Sequence, residues 1–189
     1  MMAAVNNYSH PPSILLWNAN GILNNINELQ LTLTENRINI AMISETHLTQ
    51  KNFLNIQGFE ALRADHPDGS AHGRTVLVVS RRIPHSPFPS HTSHKLQIIA
   101  TSIVLNSIPI SFASAYLPPG CQFPENVLTS FIFSLNHTFL IGADFNAKHL
   151  NWGSRYTNTR GRSLFRVISS SHAKAITTDA PTYWLTCQR

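Results

Sequence analysis

The 189-residue chain fits one domain and can bury a sizeable single core. Charged residues make up only 12% of it, yet the net charge is +5, the isoelectric point is about 9.6, and ten of the fourteen cations are Arg; this suggests an anionic partner, of which nucleic acid is the commonest. Two cysteines, Cys121 and Cys187, exclude a disulfide framework and a Cys-rich zinc site, the N-terminus has no apolar signal core, and no apolar run reaches the ~20 residues that span a bilayer.

In chain order, Ile14 to Trp17 reads as a short buried strand that ends in Asn18-Ala19-Asn20-Gly21. Ile22, Ile26, Leu29 and Leu33 then recur at helical spacing, and Ile38 to Ile43 is a second apolar strand ending at Ser44-Glu45-Thr46-His47. Strand, helix, strand argues for an α/β architecture. Thr75 to Val79 is a strand, followed by Arg81-Arg82. Ile83 to His94, with three Pro and three His and no period, reads as a loop.

Leu96 to Leu105 and Ile108 to Tyr116, separated by Asn106-Ser107, read as a hairpin, with Pro109 arguing for an edge position. After Pro118-Pro119-Gly120, Pro124 opens a helix whose apolar face is Val127, Leu128, Phe131 and Leu135. Phe139 to Ile141 is a short buried strand running into Gly142-Ala143-Asp144-Phe145-Asn146. A polar loop covers 148–159. Arg162 to Ser169 is helical, with Leu164, Phe165 and Ile168 on one side, and Ala175 to Thr177 is a last candidate strand. No repeat or linker divides the chain.

Three apolar strands thus end in hard oxygen donors: Asn18, Glu45, and Asp144 with Asn146. Ligands bind at strand ends in α/β folds. Such donors suit Mg²⁺, which takes one or two carboxylates and keeps several waters. A polar residue after a strand is usually a turn former, so any one of these alone is weak; the combination carries the reading. His85, His91 and His94 lie among Pro and Ser without a nearby acid and are read as a solvated loop rather than a metal tract.

In order along the chain, 17–21 (WNANG), 44–47 (SETH), 115–120 (AYLPPG) and 142–147 (GADFNA) resemble the endonuclease/exonuclease/phosphatase family. The later stretches 149–154 (HLNWGS), 158–162 (NTRGR) and 181–184 (PTYW) are similar to the apurinic/apyrimidinic-like endonuclease domain of jockey-like non-LTR retrotransposons. The resemblance runs from about Ile14 to Trp184. It departs at Gly73-Arg74-Thr75, where relatives tend to have consecutive glycines.

The resemblance implies an α+β fold, a two-layered β-sandwich flanked by helices (α-β-β-α, deoxyribonuclease I-like). Residues 1–12 are expected to be a disordered tail, and 13–189 the domain. It implies Mg²⁺ (or Mn²⁺) held by Glu45 with Asn18 beside it, Asp144 orienting the attacking water, and Asn146 and Tyr116 on the scissile phosphate. DNA contacts are expected from Asn151, Arg155, Arg160 and Arg162, and from Arg166 in the same cluster. Trp152 is expected to pack against the catalytic floor.

The family's late Asp and its Ser-Asp-His, on strands after the Pro-Thr-Tyr position, are absent. Asp65-His66 comes too early to replace them and reads as a loop pair. The fold is therefore expected to lack its C-terminal strands, and the chain alone to be nearly inactive. The implied parent is a soluble, intracellular, nuclear protein carrying a reverse transcriptase domain, without membrane attachment or small-molecule cofactor. It would nick target DNA to prime reverse transcription. The alternatives are a phosphatase or sphingomyelinase on the same fold and an inactive fragment that binds nucleic acid or nothing.

Overall fold

The computed structural model describes residues 10–49, 51–64 and 74–177. Asp65-His66, Gly73, the Pro181–Trp184 stretch, Cys187 and positions 1–9 of the expected tail lie outside the described residues. Among the described residues, eight strands and three α-helices follow one another as β1 (Ile14–Asn18), α1 (Ile26–Glu35, preceded by a 3₁₀ turn at Ile22–Asn25), β2 (Ile40–Ser44), β3 (Phe59–Ala64), β4 (Thr75–Ser80), β5 (His85–Thr92), β6 (Gln97–Leu105), β7 (Ile108–Tyr116), α2 (Glu125–Ser134), β8 (Thr138–Asp144) and α3 (Thr159–Ser170). A second 3₁₀ turn, Leu150–Trp152, precedes α3.

The strands form two four-stranded sheets, ordered β1-β2-β4-β3 and β5-β6-β7-β8. Alternation along the strands sends one set of side chains between the sheets and the other set under helices. Ile40 and Met42 of β2 and Leu77 and Val79 of β4 meet Ile103 and Phe112 of the second sheet in the middle layer. On the opposite faces of β2 and β4, Ala41, Ile43, Val76 and Val78 pack beneath Ile22, Leu29 and Leu33. On the outside of the second sheet, Ile98, Ala100, Ala113 and Ala115 pack beneath Leu128, Phe131, Ile132 and Val167 of α2 and α3. Each fully buried Leu, Ile or Val contributes about 1.5–3 kcal/mol through removal from water. The layering is the α-β-β-α sandwich expected.

Several local expectations are corrected. β1 is an edge strand, not a buried one: Leu16 is 57% exposed. The stretch read as a loop, Ile83 to His94, contains β5, which lies at the edge of its sheet where Pro87 and Pro89 cost few ladder bonds. Its pairing slips between Phe88 and His91. β3 has no counterpart among the expected strands. β7 is central rather than an edge, and Pro109 is tolerated because pairing with β8 begins only at Ile110. β8 is longer than expected and mostly half-buried. Ala175 to Thr177 is not a strand. In α3 the buried positions are Gly161, Ser163 and Val167, while Phe165 is partly exposed and stacks on His149 at 4.6 Å.

Candidate active site

Two parallel strand pairs, one in each sheet, bring their C-terminal ends together. In the first sheet the β1–β2 register sets Asn18 beside Ser44, so that Glu45 follows directly. In the second the β7–β8 register sets Tyr116 beside Asp144. The pairs are joined across the sandwich by Asn18, whose Nδ2 donates to Asp144 Oδ2 at 2.9 Å. Beneath them the middle layer turns polar. Thr75 Oγ1 donates to the Ile43 carbonyl at 3.1 Å and lies 2.6 Å from Ser114 Oγ, which ties β4 and β7 together just below the site.

The loops leaving these strands are fixed by the backbone. The amides of Ala19, Gly21 and Ile22 donate to the carbonyls of Ser44, Glu45 and Thr46. Asn18 Oδ1 accepts from the Asn20 amide at 3.1 Å. Non-glycine residues with left-handed backbone include Asn20, Glu45, His47 and Asn146, all at or next to these strand ends. Asn enters that region readily, whereas for Glu45 (φ 52°) it costs on the order of 1–3 kcal/mol. Strain held at the ends of buried strands is the kind that accompanies function. Gly21, with φ 98°, is required by its backbone conformation, since an added Cβ would come no nearer than 3.6 Å to His47 Nδ1.

Asp144 is held from both sides: Oδ2 by Asn18 and Oδ1 by the Asn146 amide at 3.0 Å. Asn146 is exposed, and its Nδ2 donates to the Leu117 carbonyl at 3.2 Å. Tyr116 is only 4% exposed. Burial first, then the negative charges of Glu45 and Asp144 and the hydrogen bond donated to Glu45, push its phenol far above the ordinary tyrosine range. Tyr116 therefore remains a neutral donor. Its shift also shows both carboxylates lying within electrostatic reach of a single hydroxyl.

The donor set suits a hard divalent cation: two carboxylates and an amide oxygen, supplied by Glu45, Asp144 and Asn18. Among the described residues no group of three or more His, Cys, Asp or Glu could hold a metal ion. A site with few protein ligands is what Mg²⁺, which retains its waters, accepts. The histidines of β5 do not contribute: His85 Nε2 lies 3.5 Å from Glu60, and His91 is 3.3 Å from Ser93 Oγ.

Of the expected DNA-contacting residues, Asn151, Arg155 and Arg162 are exposed, with Arg162 reaching Thr159 Oγ1 at 3.3 Å. Arg160 is placed differently from these three. Its guanidinium is half-buried and donates to the carbonyls of Leu117, Phe145, Pro118 and Cys121. Arg166 pairs with Glu125, linking α2 to α3. Trp152 donates its indole N–H to the Ala147 carbonyl at 3.2 Å and lies beside His149, which fits the expected packing role.

Not anticipated were Lys148 and Tyr156, both exposed, with Nζ 5.0 Å above the ring and 3.2 Å from its hydroxyl. Nor was the part played by Asn158. It caps α3 by accepting from the Gly161 amide, accepts from the Lys148 amide, and donates to the Asn146 carbonyl. The signal was present: an Asn just ahead of a helix.

Two sandwiched sheets whose parallel strand ends bring together Asn18, Glu45, Tyr116 and Asp144 give the chain the fold of endonuclease/exonuclease/phosphatase proteins, and its sequence is similar to theirs over part of its length. Residues 110–188 match the family model described as "Endonuclease-reverse transcriptase". The curated proteins it resembles include mobile-element proteins. It is 28% identical over 169 residues to the RNA-directed DNA polymerase from mobile element jockey of Drosophila melanogaster, covering 89% of this chain and 18% of that protein. It is also 28% identical over 173 residues to the probable RNA-directed DNA polymerase from transposon X-element of the same species, covering 91% of this chain and 19% of that one. The chain thus spans about a fifth of the length of these curated relatives.

In fold it is similar to the endonuclease domain of TRAS1, a telomere-specific non-LTR retrotransposon (TM-score 0.71, 20% identity, 92% of this chain and 77% of that one). It is also similar in fold to the AP endonuclease LMAP from Leishmania major (TM-score 0.59, 11% identity, 84% and 66%).

Proposed function

We propose that this chain is a metal-dependent DNA endonuclease domain of a non-LTR retrotransposon protein. It nicks target DNA by phosphodiester hydrolysis and leaves a 3′-hydroxyl that primes reverse transcription by a reverse transcriptase domain of the same protein, in the nucleus. The observation that carries the reading is the meeting of Glu45, Tyr116, Asp144 and Asn18 at four strand ends drawn from both sheets. No helix among the described residues is long and apolar enough to cross a membrane.

The residues divide the work of hydrolysis by their chemistry. Glu45, with Asn18 beside it, would hold Mg²⁺ or Mn²⁺, which supplies a Lewis acid for the charge that develops on the phosphate. Asp144, fixed by Asn18 and the Asn146 amide, is aimed to orient the attacking water and take its proton. Tyr116, kept protonated by its surroundings, would turn its one O–H from Glu45 to a phosphate oxygen once Glu45 holds the cation, rather than acting as a base. Asn146 has an amide N–H left for the phosphate beyond the one bound to Leu117. Asn151, Arg155 and Arg162 extend the contact along the DNA backbone, where Arg pairs with phosphate oxygens.

The test is relaxation of supercoiled plasmid in Mg²⁺, run on the 189-residue chain and, where the reading frame continues, on the longer product. The reading predicts nicked circles with a 3′-hydroxyl, lost in Glu45→Ala and Asp144→Asn. Plasmid left intact by every product, nicking undiminished in both variants, or turnover confined to soluble phosphate esters would overturn it.

A further inference from the structure

The start of α3 lies against the loops that leave β7 and β8, with Gly161 buried and the Arg160 side chain turned toward them. Arg160 Nη1 donates to the carbonyls of Leu117 (3.5 Å) and Phe145 (3.4 Å), and Nη2 to those of Pro118 (2.5 Å) and Cys121 (2.7 Å). Leu117 directly follows Tyr116, and Phe145 directly follows Asp144. One guanidinium therefore grips both chain segments at the point where each leaves its strand. The Leu117 carbonyl accepts from Asn146 as well, so the two loops share an acceptor under Arg160. Gly161 lets α3 come this close: a Cβ there would sit 1.8 Å from the Lys148 carbonyl oxygen.

From this geometry we propose that Arg160 is a positioning residue, a clamp that sets the spacing between Tyr116 and Asp144 and does not itself contact DNA. The planar fork of Arg offers five N–H donors in fixed directions, and four carbonyls converging from two loops are a match that the single ammonium of Lys cannot reproduce. Burial of its positive charge is compensated by carbonyl dipoles, which leaves little of the guanidinium for a phosphate. The proposal assigns the Arg an effect on turnover through two other residues. That part rests on the nuclease reading above, whereas the clamp itself does not.

Two measurements separate these. Amide hydrogen exchange followed by mass spectrometry reads the loops directly in wild type, Arg160→Ala and Arg160→Lys. The clamp predicts exchange at least about tenfold faster in both 117–122 and 145–149 in either variant, with α1 and β2 unchanged, and partial recovery of Arg160→Ala by added methylguanidinium. Arg160→Lys keeps the charge and the aliphatic stem, and serves where the alanine variant does not fold. Unchanged protection in either loop would overturn the clamp.

In plasmid nicking, Arg160→Lys should lower kcat by about 10²-fold, the effect of a small misplacement of reacting groups, while KM and the salt dependence of DNA binding stay as in wild type. A raised KM with a flatter salt dependence and unchanged kcat would identify Arg160 as a DNA contact and overturn the proposal. Failure of both the 189-residue chain and any longer product to nick would refute the nuclease reading alone, and the exchange result would still decide the clamp.

Discussion

Gly161→Ala isolates the packing of α3 on the catalytic loop. Gly161 is helical, so in an open helix alanine would be favoured by about 1 kcal/mol. Here the new methyl would fall 1.8 Å from the Lys148 oxygen, 2.6 Å from its carbonyl carbon and 3.2 Å from Asn158 Oδ1. The first two are backbone atoms, and the Lys148 carbonyl already accepts from the Asn158 amide at 2.9 Å, so neither side can yield alone. Relief requires α3 to move away. Overpacking of this sort costs about 1–3 kcal/mol, and weakening the Asn158 cap adds about 1 kcal/mol. Offset by the gain in helix propensity, the net loss is about 1–3 kcal/mol, or a fall in Tm of roughly 2–12 °C for a domain of this size. Urea and thermal unfolding measure it. A variant as stable as wild type, or more so, would refute the close approach of α3 and with it the geometry of the Arg160 clamp.

Gly142→Ala should also lower Tm, because the new methyl would meet Met42 Sδ at 2.4 Å and Cβ at 2.9 Å in the core and Leu16 Cδ1 at 2.8 Å on the exposed edge; the loss should shrink in part when Leu16 is also shortened to Ala. Tyr116, with its pKa raised, should stay protonated where exposed tyrosines titrate, near pH ~10. Its protonated form is favoured by folding, so this contribution to stability is present below about pH 10 and is lost as pH rises above it. Ultraviolet titration of wild type against Tyr116→Phe checks this; equal phenolate absorbance per tyrosine near pH ~10 would contradict it. Replacing Arg155 and Arg162 together with Ala should reduce the slope of log affinity for DNA against log salt by about 2, close to one for each phosphate no longer neutralised. An unchanged slope would place both side chains in solvent.

The sequence made the strand ends of the candidate site readable because their signal is local: an apolar run stops abruptly at Asn18, at Glu45 and at Asp144. It could not show that these ends meet, since Asn18 and Asp144 are 126 residues apart and joined by a contact between sheets. β5 was hidden because Pro87 and Pro89 speak against a strand, and only its edge position excuses them. β3 gave too faint a pattern, Phe59 and Leu62 being only half-buried. β1 looked buried because an apolar run does not reveal how many sides of it are covered. The inward partners of Arg160 were hidden for a related reason. Among exposed cations its type and position suggested phosphate, and nothing local announces four carbonyls arriving from two other loops.

We propose that Glu45, with Asn18 beside it, holds a divalent cation next to Asp144. Thermal unfolding of the chain with increasing Mg²⁺ or Mn²⁺ tests it most directly, without requiring turnover. A cation bound only by the folded state stabilises it by about 2.7 kcal/mol at one hundred times its Kd. Wild type should show a saturable rise in Tm. Glu45→Ala should abolish it while leaving the metal-free unfolding cooperative. The same metal-induced rise in that variant as in wild type would contradict the site.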